Sequence, residues 1–140
     1  MKRIHRLIFP AFVLILVLAC QAFNTHTLSG TKWELVSYGP LNSPVLPFSN
    51  SRPTLSFSAS QGAFSTGCNT ITSDYSERGG KISFSNGMMT LMACIPDELM
   101  KQESEISYAL NAADSFTVSG SILTILYDSG NQAMTFERIQ

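Results

Sequence analysis

The side chains that most often carry out catalysis are scarce in this chain. Its two histidines, His5 and His26, both lie near the N-terminus, ahead of the part that patterning marks as a folded domain. A serine or cysteine nucleophile in that domain would therefore have no histidine to act as its base. Zinc would lack ligands for the same reason, and Gly79-Gly80 lies between two strands, which is the wrong place for a phosphate-binding loop. We expect no catalytic residues, no metal and no cofactor, and so a protein that is not an enzyme.

Glu103 is the carboxylate that the sequence pattern brings closest to a core. It lies about 40° from the centre of an apolar helical stripe. That stripe comprises Leu99, Ile106 and Leu110, and Ala113 continues the helical spacing. A buried carboxylate needs hydrogen-bond donors or takes up a proton. Glu103 could belong to a site if folding brought a second carboxylate close, the candidates being Asp74 and Glu77. We favour a structural role, in which Glu103 accepts bonds from backbone amides or from Asn69 and ties the helix to the Gly67-Cys68-Asn69 turn.

Four methionines are clustered in the sequence, and thioethers suit copper(I). They are Met88, Met89, Met92 and Met100. In an alternating strand Met88 and Met92 would face one way and Met89 the other, so the four could not converge on one ion. Filling of the core is the interpretation that we favour for them.

The N-terminus has the pattern of a lipoprotein signal. A basic start is followed by a short apolar segment and then by the motif Val17-Leu18-Ala19-Cys20. A transmembrane helix would need about 20 apolar residues, and this segment is shorter and contains Pro10. A buried helix is the remaining alternative. We expect residues 1–19 to be a signal peptide, 20–29 a tether lipidated at Cys20, and 30–140 one domain.

The predicted compartment also bears on the other two cysteines. Cys68 and Cys94 form an even pair in an exported protein, where disulfides persist, so we expect a bridge between them. Two buried free thiols are the alternative. A reactive redox pair is disfavoured because the Cys-x-x-Cys spacing is missing.

Charge limits the partners of the exported part. Without the three basic residues of the signal, the chain has six basic and ten acidic residues, a net charge of −4. Nucleic acid is therefore excluded as an expected partner. Membrane attachment would come from acyl chains rather than from charge. Gln21 in place of Asp after the lipid site suggests the outer membrane, facing the periplasm, if the host is Gram-negative. We expect a monomer.

Residues 30–140 have the pattern of an antiparallel, mainly β domain of about eight strands. The alternating segments are 31–38, 54–58, 62–66, 70–77, 81–85, 88–92, 115–119, 121–127 and 133–138. Arg78-Gly79-Gly80 and Asn86-Gly87 are predicted turns, and residues 96–113 are a predicted amphipathic helix. Because open sheet edges must be covered, a closed barrel is favoured, with an interior filled by its own aromatic residues.

Three motifs, in this order, resemble the META-domain family of HslJ-like heat-shock envelope lipoproteins. They are Gly67-Cys68-Asn69, Thr90-Leu91-Met92-Ala93-Cys94 and the segment from Glu103 to Leu110. Gly30-Thr31-Lys32-Trp33 also fits the first strand of that family. The resemblance implies a small barrel of lipocalin-like build with a helix against it. It further implies an association with heat shock and antibiotic tolerance, without an established enzymatic activity.

The proline-rich loop of residues 41–53 is the predicted contact surface. It carries Val45, Leu46 and Phe48, which a bare connection would not need. Our first hypothesis is a module that binds another envelope protein or protects the envelope under stress. Local packing of this loop over a barrel end is the plainer interpretation. A barrel that binds a small molecule or lipid is the second functional hypothesis.

Overall fold

The computed structural model describes residues 28–140. The predicted signal peptide, the lipid site at Cys20 and most of the tether lie outside these residues. The described chain forms a closed barrel of eight antiparallel strands in chain order, with β8 returning to pair with β1. The strands are β1 (Lys32–Pro40), β2 (Thr54–Phe57), β3 (Gln61–Ser65), β4 (Thr70–Arg78), β5 (Lys81–Met89), β6 (Ala113–Ser119), β7 (Ile122–Tyr127) and β8 (Gln132–Arg138). The predicted fold class is confirmed.

One helix, α1 (Asp97–Asn111), lies between β5 and β6, within the predicted 96–113 segment. Asp97 and Glu98 occupy its first turn, where carboxylates complement the positive end of the helix dipole. Its buried side chains are Gln102, Glu103, Ile106, Ala109 and Leu110. Across residues 28–140 no helix has the length and apolarity that crossing a bilayer would require.

The barrel interior is filled by large apolar side chains, as the alternating pattern predicts. Trp33, Phe64, Phe136 and Leu123 are almost completely buried, and the rings of Phe64 and Phe136 meet edge to face with centroids 5.9 Å apart. Leu28, which the sequence analysis assigned to the tether, is also buried in this core.

The two ends of the barrel are closed differently. Leu28 precedes β1 at one end, where its amide donates to Glu77 Oε1 at 2.9 Å. The β1–β2 loop (residues 41–53), the β3–β4 turn (residues 66–69) and the β5–α1 loop (residues 90–96) emerge at the opposite end, because consecutive antiparallel strands alternate in direction. The helix packs across that second end. Its side chains bond to the β1–β2 loop and the β3–β4 turn, and Asn69 of that turn bonds to the β5–α1 loop.

The predicted turn at Asn86-Gly87 is wrong. Both residues lie inside β5, where the pairing with β4 shifts register between Thr72 and Asp74. Asn86 has a φ of 53° and donates to Asp74 Oδ2 at 2.8 Å. A residue in the left-handed region serves a β-bulge as well as a turn, so the dipeptide bends one strand here instead of separating two.

The prediction that the four clustered methionines fill the core is also wrong. Met88, Met89, Met92 and Met100 are all exposed. The barrel end that they would have filled is occupied by Ile106, Ala109 and Leu110 of α1. The methionines therefore remain on the outside, where the chain passes from β5 to α1.

Candidate functional site

Asn69 lies at the centre of a buried polar cluster, which we define as Thr66, Asn69, Gln102 and Glu103. Its side-chain amide donates to Met92 O at 3.0 Å and to Glu103 Oε1 at 3.1 Å. Its Oδ1 accepts from Met92 N at 2.9 Å and from Thr90 Oγ1 at 2.8 Å. Every hydrogen-bonding position of this side chain is thus used, which offsets the cost of burying it. One residue fastens the β3–β4 turn to both the β5–α1 loop and the helix.

Glu103 has the hydrogen-bond partners that the structural role favoured from the sequence predicts. It is 5% exposed and accepts from Asn69 Nδ2 and, at 2.9 Å, from Thr66 Oγ1. Its two partners lie at the ends of the β3–β4 turn, so the carboxylate ties α1 to that turn. Asp74 instead bonds to Asn86, and Glu77 to the Leu28 amide. Neither supplies Glu103 with the second carboxylate that acid catalysis by a pair would require.

Gln102 is a cluster member that the sequence analysis missed. Its Nε2 donates to Thr66 O at 2.7 Å and to Ser51 Oγ at 3.2 Å, and its Oε1 accepts from Phe48 N at 2.6 Å. It therefore bonds the helix to the β1–β2 loop as well as to the β3–β4 turn. Gln102 is four residues before Ile106, on the same helix face, and that spacing was the available signal.

Gly67 and the disulfide hold the same end of the barrel together. Gly67 has a φ of 97°, and a Cβ placed on it would lie 2.6 Å from Ser51 Cβ, so glycine is required for two independent reasons. Cys68 and Cys94 form the expected disulfide, with Cα atoms 5.9 Å apart. The motif residues Gly67, Cys68, Asn69, Cys94 and Glu103 are thus brought together at one end of the barrel.

A groove lies between the β1–β2 loop and α1, next to the buried cluster. Its volume is about 480 Å³, and its lining includes Tyr38, Val45, Leu46, Phe48, Lys101 and Glu105. All three side chains predicted as partner contacts are among them. Leu46 is 73% exposed and Val45 48% exposed, whereas Phe48 is partly buried.

The loop side of the groove is held in place on both sides of Leu46. Val45 exchanges two backbone bonds with Tyr38, at 2.7 and 2.9 Å. Phe48 donates its amide to Gln102, and its carbonyl accepts from Ser51 N and from Ser51 Oγ. Pro47 adds a fixed φ between these anchored residues. Leu46 is consequently exposed on a restrained backbone.

The helix side of the groove is charged. Glu98, Lys101 and Glu105 follow one another at helical spacing, and within the described part of the chain none of them forms an ion pair. Burial raises the pKa of the Tyr38 phenol, and the nearby Glu105 carboxylate raises it further. Burial is also the main reason for the raised pKa of Tyr127, again with a contribution from Glu105, while the Gly39 amide bonded to it acts in the opposite direction. The groove thus combines apolar contacts and the Tyr38 phenol with one wall of charged groups.

The cysteine, aspartate and glutamate side chains of residues 28–140 do not come together in any group of three that could hold a metal ion.

Comparison with known families matches residues 26–140 to the META domain. The chain belongs to the META-domain family. The resemblance noted in its motifs is thereby confirmed over the whole described domain. Comparison with curated proteins found no match.

Solved structures share the fold of this META domain. An NMR structure of a protein from Burkholderia xenovorans is 24% identical with a TM-score of 0.67, over 79% of this chain and 83% of that one. A crystal structure of a DUF4847 family protein from Bacteroides vulgatus is 12% identical with a TM-score of 0.57, over 79% of this chain and 93% of that one. At these identities the similarity establishes the barrel architecture.

Proposed function

We propose that this META domain is a non-enzymatic binding module of the bacterial envelope, which recognises another envelope protein through the groove between the β1–β2 loop and α1. The observation that carries the proposal is Leu46, an apolar side chain that is largely exposed although the backbone on both sides of it is fixed. A restrained apolar side chain loses little conformational entropy when a partner covers it.

The composition of the groove supports a protein partner. Apolar contacts at Val45, Leu46 and Phe48 lie beside a charged helix face, and an apolar centre with a polar rim is typical of protein interfaces. The side chains of Glu98, Lys101 and Glu105 can pair with charged side chains of the partner, since they form no ion pairs within the described residues. The matching partner segment carries an apolar residue flanked by charged ones.

Photocrosslinking in cells that make the full chain tests the proposal. A photoreactive amino acid at Leu46 should give a discrete crosslinked species with one envelope protein. The same amino acid at Ile122, an exposed apolar position on β7, is the matched control and should not give that species. Substituting Val45→Asp should reduce the Leu46 crosslink without unfolding the barrel, because the bonds of Val45 to Tyr38 are made by the backbone. The same species from both positions, or none from Leu46, would reject this function.

Attachment to the membrane is part of the same proposal and rests on the sequence motif ending at Cys20. We infer that this cysteine is acylated after removal of residues 1–19, and that the protein faces the periplasm from the outer membrane of a Gram-negative host. Labelled palmitate should enter the wild-type protein and not the Cys20→Ser variant, which should also leave the membrane fraction. Label retained by that variant would contradict the anchor.

A small apolar ligand is the second candidate, and the groove volume favours it. About 480 Å³ lies in the range of small-molecule sites, about 300 to 1,000 Å³. The filled interior means that such a ligand would bind in this outer groove rather than inside the barrel. Native mass spectrometry of protein isolated from its source would reveal a stoichiometric passenger, and its loss in Val45→Asp would assign it to the groove.

A further inference from the structure

Four of the five methionines in residues 28–140 are exposed and lie between the end of β5 and the first turn of α1. We call Met88, Met89, Met92 and Met100 the methionine surface. Met88 is 70% and Met92 58% exposed, while the fifth, Met134, is completely buried between its neighbours in the barrel. Met88 and Met89 line a crevice against Ser107 of α1. Met100 precedes Ser107 by two helical turns and so lies on the same face of the helix.

The backbone beneath these thioethers is fixed by other groups. Met92 is held at both its amide and its carbonyl by the Asn69 side chain. Two residues further along, the β5–α1 loop is fixed by the Cys68–Cys94 disulfide, and Met88 is paired with Thr72 in the β4–β5 ladder. The fold therefore does not depend on the methionine side chains remaining apolar.

We propose that the methionine surface is a site of reversible oxidation by hydroperoxides. Within residues 28–140 both cysteines are already joined as a disulfide, so the exposed thioethers are the sulfur groups most open to an oxidant. The lone pair of each sulfur attacks one oxygen of hydrogen peroxide. An S–O bond forms, the O–O bond breaks, and the released hydroxide combines with the remaining proton to give water. The sulfur loses two electrons to the peroxide and becomes a sulfoxide.

This reaction changes the surface without changing the core. Each sulfoxide replaces an apolar group by a polar one, and Leu91 and Ile95 extend the same exposed apolar segment. Residues 86–96 carry no charged side chain, so three of the four oxygen atoms, those on Met88, Met89 and Met92, alter the polarity of an otherwise neutral stretch. Methionine sulfoxide reductases can reverse the change, which makes it a usable response to oxidants.

Treatment of the purified full chain with hydrogen peroxide, followed by peptide mass spectrometry, tests the proposal. Met88 and Met92 should each gain one oxygen first, followed by Met89 and Met100, while Met134 stays unmodified as long as the barrel is folded. The melting temperature should stay close to that of the untreated protein. Methionine sulfoxide reductase should then remove the four oxygen atoms.

Two variants make the result decisive. A variant with Met88, Met89, Met92 and Met100 all replaced by Leu should show no oxygen uptake within residues 28–140 in the folded state and keep its melting temperature. The Met134→Leu variant is the matched control and should take up as much oxygen as the wild type. Protein isolated from peroxide-treated cells should carry oxygen at the same four residues. Oxidation of Met134 as fast as Met88, unfolding before uptake is complete, or unmodified methionines in the treated cells would overturn the proposal.

Discussion

Gly67 shows how a single missing side chain permits a close approach between two loops. Its positive φ is unfavourable for other residues, and Ser51 occupies the space where a Cβ would lie. We predict that Gly67→Ala lowers the free energy of unfolding by about 3 kcal/mol, because it combines backbone strain with overpacking. Gly120 is the matched control, since it has a φ of 60° and nothing within 4 Å of the added Cβ. Gly120→Ala should cost about 1 kcal/mol. Equal losses in urea unfolding would show that contact with Ser51 is unimportant.

Burial of the Tyr127 phenol makes the stability of the protein depend on pH. Burial raises its pKa above the ordinary value of about 10, so the unfolded chain loses the phenol proton first as the pH rises. The stability contributed by the neutral phenol is present below about pH 10 and is lost as the pH rises towards the folded-state pKa. The wild type should therefore lose more stability than Tyr127→Phe between about pH 8 and about pH 11. Urea midpoints measured at both values decide this, and parallel losses would contradict it.

The helix α1 is positioned by hydrogen bonds as well as by its apolar face. Gln102 accepts from the Phe48 amide and donates to the Thr66 carbonyl, so Gln102→Leu leaves both backbone groups without these bonds. We predict a loss of about 3 kcal/mol in unfolding free energy. In hydrogen exchange the Phe48 amide should lose protection. The amides of β7 and β8 should still exchange only through global unfolding.

The control for that measurement is Gln61→Leu, which removes an exposed bond to Asp74. It should leave the exchange of Phe48 unchanged. If Gln102→Leu leaves Phe48 as protected as in the wild type, then Gln102 does not restrain the β1–β2 loop and does not hold the backbone at Leu46 in place.

Much of the architecture could be predicted from the sequence, because alternating apolar residues and helical spacing depend on local geometry. The interior aromatics, the helix and the tie between Glu103 and Asn69 follow from such patterns. The bulge at Asn86 could not be predicted, since a left-handed residue suits turns and bulges alike. The exposure of the methionines and the role of Gln102 depend on which side chains of α1 fill the barrel end. That choice is made by tertiary packing, which one sequence does not reveal.

The Cys68–Cys94 disulfide closes a loop of 26 residues that includes β4 and β5, and so stabilises the whole barrel. The loop-closure estimate gives about 3.5 kcal/mol of stabilisation for that length. The Cys68→Ala, Cys94→Ala double variant should therefore fold with a lower urea midpoint and an unchanged circular dichroism spectrum. A midpoint equal to that of the wild type would mean that the rest of the barrel fixes the β5–α1 loop without the covalent link.

We propose that the buried polar cluster, through Glu103, is a structural tie that supports the groove in which a partner would bind. Thr66 Oγ1 has one hydrogen and two acceptors, Asn69 O and Glu103 Oε2. In Glu103→Gln the new amide can donate to Thr66, which frees that hydrogen for Asn69, so every bond is kept. In Glu103→Ala the buried amide of Asn69 loses an acceptor, at a cost of about 3 kcal/mol.

The most direct test measures unfolding free energy and Leu46 crosslinking together in these two variants. We predict that Glu103→Gln stays within about 1 kcal/mol of the wild type and keeps the crosslink, while Glu103→Ala loses stability. A folded, equally stable Glu103→Gln protein that no longer crosslinks would show that the carboxylate charge itself serves the function, and would contradict a purely structural role for Glu103.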